Sequence, residues 1–187
     1  MCSPLLGDNF MKNITLITLL LASINLAYAE TPLPFPTTAD EIINALTPKP
    51  TYQRERKGFI RDDKGVKAIR ADDPKVGALI LFDFDSAVIK PESYPLLREF
   101  AKALQSGLVD AQIIIAGHTD NSGTETYNLN LSEQRSQSVK AFLISAYGIA
   151  DTRLTIKAHG ESQPIEPNET ESGRMKNRRV EFIRIAN

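Results

Sequence analysis

The sequence predicts an α/β protein: a two-layer βαβαβ(β) sandwich with a mixed sheet and helices on one face. Three observations carry that expectation. Short apolar, β-prone runs at residues 76–84, 111–116 and 154–158 alternate with stretches of 3.6-residue apolar period. The stretches between the runs are long enough for crossover helices, so the early strands are expected to be parallel neighbours. A last run, residues 179–185, alternates Val180 and Phe182 against Glu181, Ile183 and Ile185 and supplies a closing strand.

The composition agrees with one globular domain. Of 187 residues, 42% are hydrophobic and 24% charged, which excludes a disordered chain and a multi-span membrane protein. A net charge of −1 and a pI of about 6.2 offer no basic excess for neutralising phosphates, so nucleic acid is not an expected partner.

Residues 1–29 read as a secretory signal. Met11-Lys12-Asn13 forms a short basic start, residues 14–27 are mostly apolar, and Ala27-Tyr28-Ala29 has the small-x-small form of a cleavage site. Translation is expected to start at Met11 and cleavage to fall before Glu30. The alternative, a retained anchor, needs a run of ~20 apolar residues, and Ser23 and Asn25 interrupt this one. Cys2 is the sole cysteine. The exported chain then has no disulfide, thiol nucleophile, lipid-bearing cysteine or cysteine-held zinc, and must rely on a packed core.

Residues 30–75 read as a Pro-rich, charged tether. Pro32, Pro34 and Pro36 favour extended backbone. Thr38-Ala39-Asp40-Glu41 is a capping-box pattern ahead of Ile42, Ile43 and Leu46, so a short helix is expected there. Residues 53–75 hold eight Lys/Arg against five Asp/Glu. They read as a solvated segment or as a weakly basic arm for an anionic wall polymer, with residues 65–70 a candidate edge strand.

Residues 76–187 form the domain proper. Leu96, Leu97, Phe100, Ala101 and Leu104 mark a first helix that Gly107 is expected to end. Leu131, Arg135, Val139, Phe142, Leu143 and Ala146 mark a second, ended by Gly148. Residues 159–177 read as a polar loop.

The candidate chemistry sits where the second strand stops, at Gly117-His118-Thr119-Asp120. Ligands of open α/β sheets bind beyond the carboxyl ends of strands. Arg135 follows on the next helix, near an end that favours anions. A carboxylate can hold an ammonium and a guanidinium a carboxylate, so together they suit a zwitterion. Spacing alone leaves two other readings open: Asp120 and Arg135 bind each other, or Asp120 caps the helix. His118, Asp120 and His159 invite a metal, but no third close ligand accompanies the first two. Gly160-Glu161-Ser162-Gln163-Pro164 lacks the closing glycine of a nucleophile elbow.

Four blocks, FDFDSAVIKPES at 82–93, GHTDNSGTETYNLNLSEQRSQSVKAFL at 117–143, AHGESQPI at 158–165 and NRRVEF at 177–182, resemble the OmpA-like C-terminal domain in order and spacing. The resemblance covers residues 76–185. It implies non-covalent binding of peptidoglycan through the diaminopimelate of its stem peptide, in a Gram-negative-type periplasm and associated with the outer membrane. It places the amine on Asp120 and the carboxylate on Arg135. It also implicates Asp83, Asn128 and Arg179, with Arg178 competing for the role of Arg179. It implies no catalytic residue, metal or cofactor, and makes residues 30–75 a candidate contact for an envelope protein. Two other functions stay in view. One is a single-pass adaptor of a motor or secretion complex, the other a metal-assisted wall hydrolase using His118 and Asp120.

Overall fold

The computed structural model describes residues 32–49, 73–83 and 85–185. The signal segment, most of the charged stretch and the candidate strand at 65–70 lie outside the described residues. No helix among the described residues is long and apolar enough to cross a membrane.

Helix α1 (Ala39–Leu46) opens on Thr38, whose hydroxyl accepts from Glu41 N while the Glu41 carboxylate accepts from Thr38 N. Such a capping box satisfies amides that the first turn leaves unpaired. Ile42 and Leu46 are fully buried, and Ala39 N donates to Glu99 Oε2 at 3.2 Å. This part of the 30–75 stretch is therefore packed into the domain and not a free tether. Two buried aliphatic side chains contribute roughly 1.5–3 kcal/mol each, enough to hold a helix too short to persist alone.

Strand β1 (Lys75–Ala78) is shorter than the run at 76–84 implied. After Ala78 the chain leaves the sheet. Leu81 N turns to Ser93 Oγ at 2.7 Å, Phe82 bridges Ile89, and Asp85 takes a left-handed φ of 50°. On its outer side β1 is flanked by residues 33–36: Gly77 N donates to Pro34 O at 2.8 Å, and a Cβ at Gly77 would lie 2.5 Å from Phe35 Cε1.

Helix α2 (Tyr94–Gln105) buries Leu97, Phe100, Ala101 and Leu104, the stripe its periodicity predicts. Gly107 does not act as a left-handed cap. Its lack of a side chain makes room for Ile43 of α1, since a Cβ there would meet Ile43 Cγ2 at 2.7 Å. Arg153 closes the end of α2 by donating to the carbonyls of Leu104, Leu108 and Ala111.

Strand β2 (Gln112–His118), helix α3 (Glu125–Tyr147), strand β3 (Leu154–Gly160), helix α4 (Glu171–Asn177) and strand β4 (Val180–Ile185) complete the order. Helix α3 starts six residues before Leu131, on Thr124, whose hydroxyl accepts from Tyr127 N. It ends on Gly148 with φ +66°, a conformation glycine adopts without strain. Helix α4 lies within the stretch expected to be loop, and Thr170 caps it.

The sheet order is β1-β4-β2-β3. Strands β2 and β3 are parallel, and β4 is antiparallel to both β2 and β1. The expectation that β1 and β2 are neighbours is thus corrected. They run in the same direction, but β4 lies between them. The physical reason is in β4 itself, whose first four residues are all buried, so it belongs in the middle of the sheet and not at an edge. Helices α1, α2 and α3 cover one face, where Phe100 stacks on Phe182 at 3.9 Å. The other face carries Ile114, Ala116 and Ile183, then a polar cluster at its end.

Candidate functional site

The end of β2 is clamped on both sides. His118 N donates to Arg179 O and Thr119 N to Gly160 O. Helix α3 presses on the same point: a Cβ at Gly117 would lie 2.2 Å from Ser132 O, so only glycine fits. Ser132 Oγ accepts from Gly160 N, which fixes β3 to the same helix. Asp120 emerges from this clamp. Its Oδ1 accepts from Ser122 N at 2.9 Å and its Oδ2 from Arg178 Nη1 at 2.6 Å. Burial alone would raise its pKa, but the bonds from Arg178 and Ser122 outweigh burial and hold it below the ordinary carboxylate range. Asp120 is an anion at neutral pH.

Arg135 comes from the third turn of α3. Its Nε donates to Ser86 O at 3.1 Å, and its guanidinium lies 4.9 Å from the centre of the Phe82 ring. Among the described residues its two Nη groups have no hydrogen bond or ion pair. Burial lowers its pKa, and Tyr127, Asp120 and Asp85 partly oppose that. Guanidinium remains charged at any physiological pH. Arg135 faces a cleft of about 260 Å³. Leu79, Leu81 and Phe82 give that cleft an apolar side; Arg178, Arg179 and Met175 lie around the rest.

Residues 81–178, more than half of the chain, match the OmpA family. The chain belongs to that family. It is 48% identical over 102 residues to outer membrane protein A of Bordetella avium, covering 54% of this chain and 51% of that protein. It is 30% identical to the peptidoglycan-associated lipoprotein of Pseudomonas aeruginosa, over 67% of this chain and 68% of that one. The chain spans about half the length of the outer membrane protein it matches. Among solved structures it is similar to the peptidoglycan-associated lipoprotein of Burkholderia pseudomallei (31% identity, TM-score 0.51, 57% of this chain and 88% of that chain). It is also similar to the cell wall anchor of the T6SS of Pseudomonas aeruginosa (36% identity, TM-score 0.50, 57% and 76%).

Within this OmpA-family domain the sequence-predicted residues separate. Asp120 and Arg135 come to the same end of the sheet. Asp83 does not join them: it is exposed and pairs with Lys90 at 3.5 Å, because the chain has left the strand before reaching it. Asn128 is buried beneath the 121–124 loop, its Nδ2 donating to Glu161. Arg179 reaches the cleft wall, but its guanidinium is committed. It donates twice to Glu181 Oε1, and to Gln163 O and Asn177 O. Removing one partner of such a buried pair costs about 3–5 kcal/mol, so the pairing with Glu181 is a structural role that Arg179 fills whether or not a ligand is bound. Arg178, the competing choice, is the arginine in contact with Asp120.

Four contributors escaped the sequence reading. Asp85, two residues past Asp83, accepts from Tyr127 Oη. Tyr127 stands two turns before Arg135 on the same helical face, a spacing that periodicity could have flagged. Phe82 and Ser86 hold Arg135, and only the folded loop brings them there.

His118 is 1% exposed and its pKa is pushed down to about 2, first by burial and then by the Arg179 charge. It is neutral. Its Nε2 lies 3.5 Å from Glu181 Oε1, too far for a hydrogen bond, and its ring stacks on His159 at 5.0 Å. No group of three or more His, Cys, Asp or Glu among the described residues is placed to hold a metal.

Proposed function

We propose that the chain binds peptidoglycan non-covalently, with Asp120 taking the ammonium and Arg135 the carboxylate of a stem-peptide diaminopimelate. The observation that carries this is Arg135. Its guanidinium is half-buried at a cleft, fixed through Nε and the Phe82 ring, with both Nη groups left for a carboxylate. A charged carboxylate, Asp120, is joined to the same cleft through Arg178, which lines it and donates to Asp120 Oδ2. The names of relatives support the polymer: peptidoglycan-associated lipoprotein, peptidoglycan-binding protein and cell wall anchor. On this reading the protein works in the periplasm in association with the outer membrane, and the site grips without performing a reaction. The export signal at residues 1–29 and an envelope partner for residues 30–75 belong to the same proposal; the binding domain, expected from residue 76, takes in the packed residues 33–46 as well.

Co-sedimentation with purified wall sacculi tests it. Losing one charge-assisted grip costs roughly 1.5–3 kcal/mol, a ~10- to 100-fold weaker association. Asp120→Ala and Arg135→Ala should each show that loss with an unchanged circular dichroism spectrum, and free meso-diaminopimelate should compete with the sacculi. Normal retention of both folded variants would overturn the assignment.

A further inference from the structure

The next step rests on the reading of Asp120 and Arg135 as the two grips. The Asp120 side chain is 9% exposed, and the Arg178 side chain whose Nη1 sits on its Oδ2 is 37% exposed. Nη1 thus stands on the oxygen that an incoming ammonium would take, and little of the carboxylate is open elsewhere. Arg178 has a second partner. Its Nη2 donates at 2.7 Å to Glu171, whose side chain is 60% exposed. Glu171 can therefore keep Arg178 when Asp120 releases it.

The backbone behind Arg178 is pinned. The buried Asn177 side chain accepts from Ile165 N and Glu166 N and donates to Glu166 O and Asn168 Oδ1. Arg174 donates to Asn168 O and pairs with Glu171. Exchange at Asp120 is thus a matter of one side chain, with no movement of α4.

We propose that Arg178 is a specificity-determining residue: a tethered internal cation that shields Asp120 from simple amines and yields only to an ammonium whose own molecule also places a carboxylate on Arg135. The tether gives Arg178 a high effective concentration at Asp120. A free amine exchanges one charged bond for a similar one and gains nothing. An ammonium already held through Arg135 competes on equal, intramolecular terms.

The test is titration of the full chain with meso-diaminopimelate and with cadaverine, followed by NMR or calorimetry. The wild type should bind the former and not measurably the latter. Arg178→Gln should admit cadaverine, narrowing the preference at least tenfold, while diaminopimelate binds as well or several-fold better. Arg178→Lys should keep the exclusion. Glu171→Gln, which removes the resting place for Arg178, should weaken diaminopimelate several-fold with cadaverine still excluded. A tenfold or greater loss of diaminopimelate in Arg178→Gln would mean that Arg178 grips the ligand itself, and would overturn the proposal. An unchanged preference in that variant would reduce Arg178 to a structural role. If instead diaminopimelate binds Asp120→Asn and Arg135→Ala as it binds the wild type, the underlying reading falls. Dependence on both grips with no change in preference sinks only the shielding.

Discussion

The two halves of α3 are buried by different means. The C-terminal half sets Val139 and Leu143 into the apolar core. The N-terminal half is equally buried through Asn128, Ser132 and Ser136, each at most 1% exposed. Apolar side chains stabilise by leaving water and need thickness to do so. Small hydroxyl residues stabilise less, but they let a helix backbone come close to a strand. Here they bring it within reach of Gly117 and Gly160. One half of the helix thus supplies stability, and the other sets where Arg135 stands relative to Asp120.

The comparison is broken most severely at Gly117. Gly117→Val drives a side chain into the Ser132 carbonyl, which is backbone and cannot rotate away, so a loss of more than about 4 kcal/mol or failure to fold is expected. Urea denaturation checks it, and a near-native midpoint would mean that the contact is loose. Leu143→Ala, in the apolar half, should cost about 3 kcal/mol. Sacculus binding per folded molecule should nonetheless stay normal, because that half does not aim the site.

Next in size is a pH effect confined to the polar end. His118 stays neutral in the fold but takes up a proton in the unfolded chain near its ordinary value of 6.5. A depressed histidine pKa means that acid favours the unfolded state. Stability should fall by ~2 kcal/mol between pH 7 and 5, with most of the loss below 6.5. Denaturant midpoints measured across that range should flatten in His118→Gln. The smallest effect is expected for Ser136→Ala, which loses a hydroxyl bond to Ser132 O, worth about 1 kcal/mol, and leaves the close approach intact.

What could be read from sequence follows the same division. Leu97, Phe100 and Leu104, or Ile113 and Ile115, announce themselves because burial of large apolar groups leaves a period. Ser132 and Ser136 are as deeply buried and leave none, so α3 was expected to begin at Leu131. Helix α4 has no apolar stripe and shows itself only through Thr170. The place of β4 between β1 and β2 is a pairing between residues about a hundred positions apart, which no local pattern records. At the candidate site, spacing left the roles of Asp120 and Arg135 open and the family resemblance singled them out. Arg135 was expected near a helix start, but α3 begins at Glu125 and places it in the third turn, beyond the reach of the N-terminal dipole. The choice between Arg178 and Arg179 was not legible. Arg178 follows α4 and turns to Asp120, while Arg179 enters β4 and turns to Glu181, and that one-residue difference is decided by where α4 stops. Asp83 was implicated by the family resemblance, on a strand expected to run to residue 84; β1 ends at Ala78, and the left-handed turn at Asp85 lies beyond that end.

The contact of residues 33–36 with β1 bears on how copies of the protein meet. Pro34 O already takes Gly77 N, and Phe35 fills the space above a glycine that would otherwise be open. A second molecule seeking to extend the sheet by adding a strand finds that edge occupied from within the same chain. Among the described residues the other edge of the sheet is β3, where Thr155 and Lys157 are exposed. An exposed lysine on an edge strand opposes the addition of a further strand, so both described edges of the sheet resist growth.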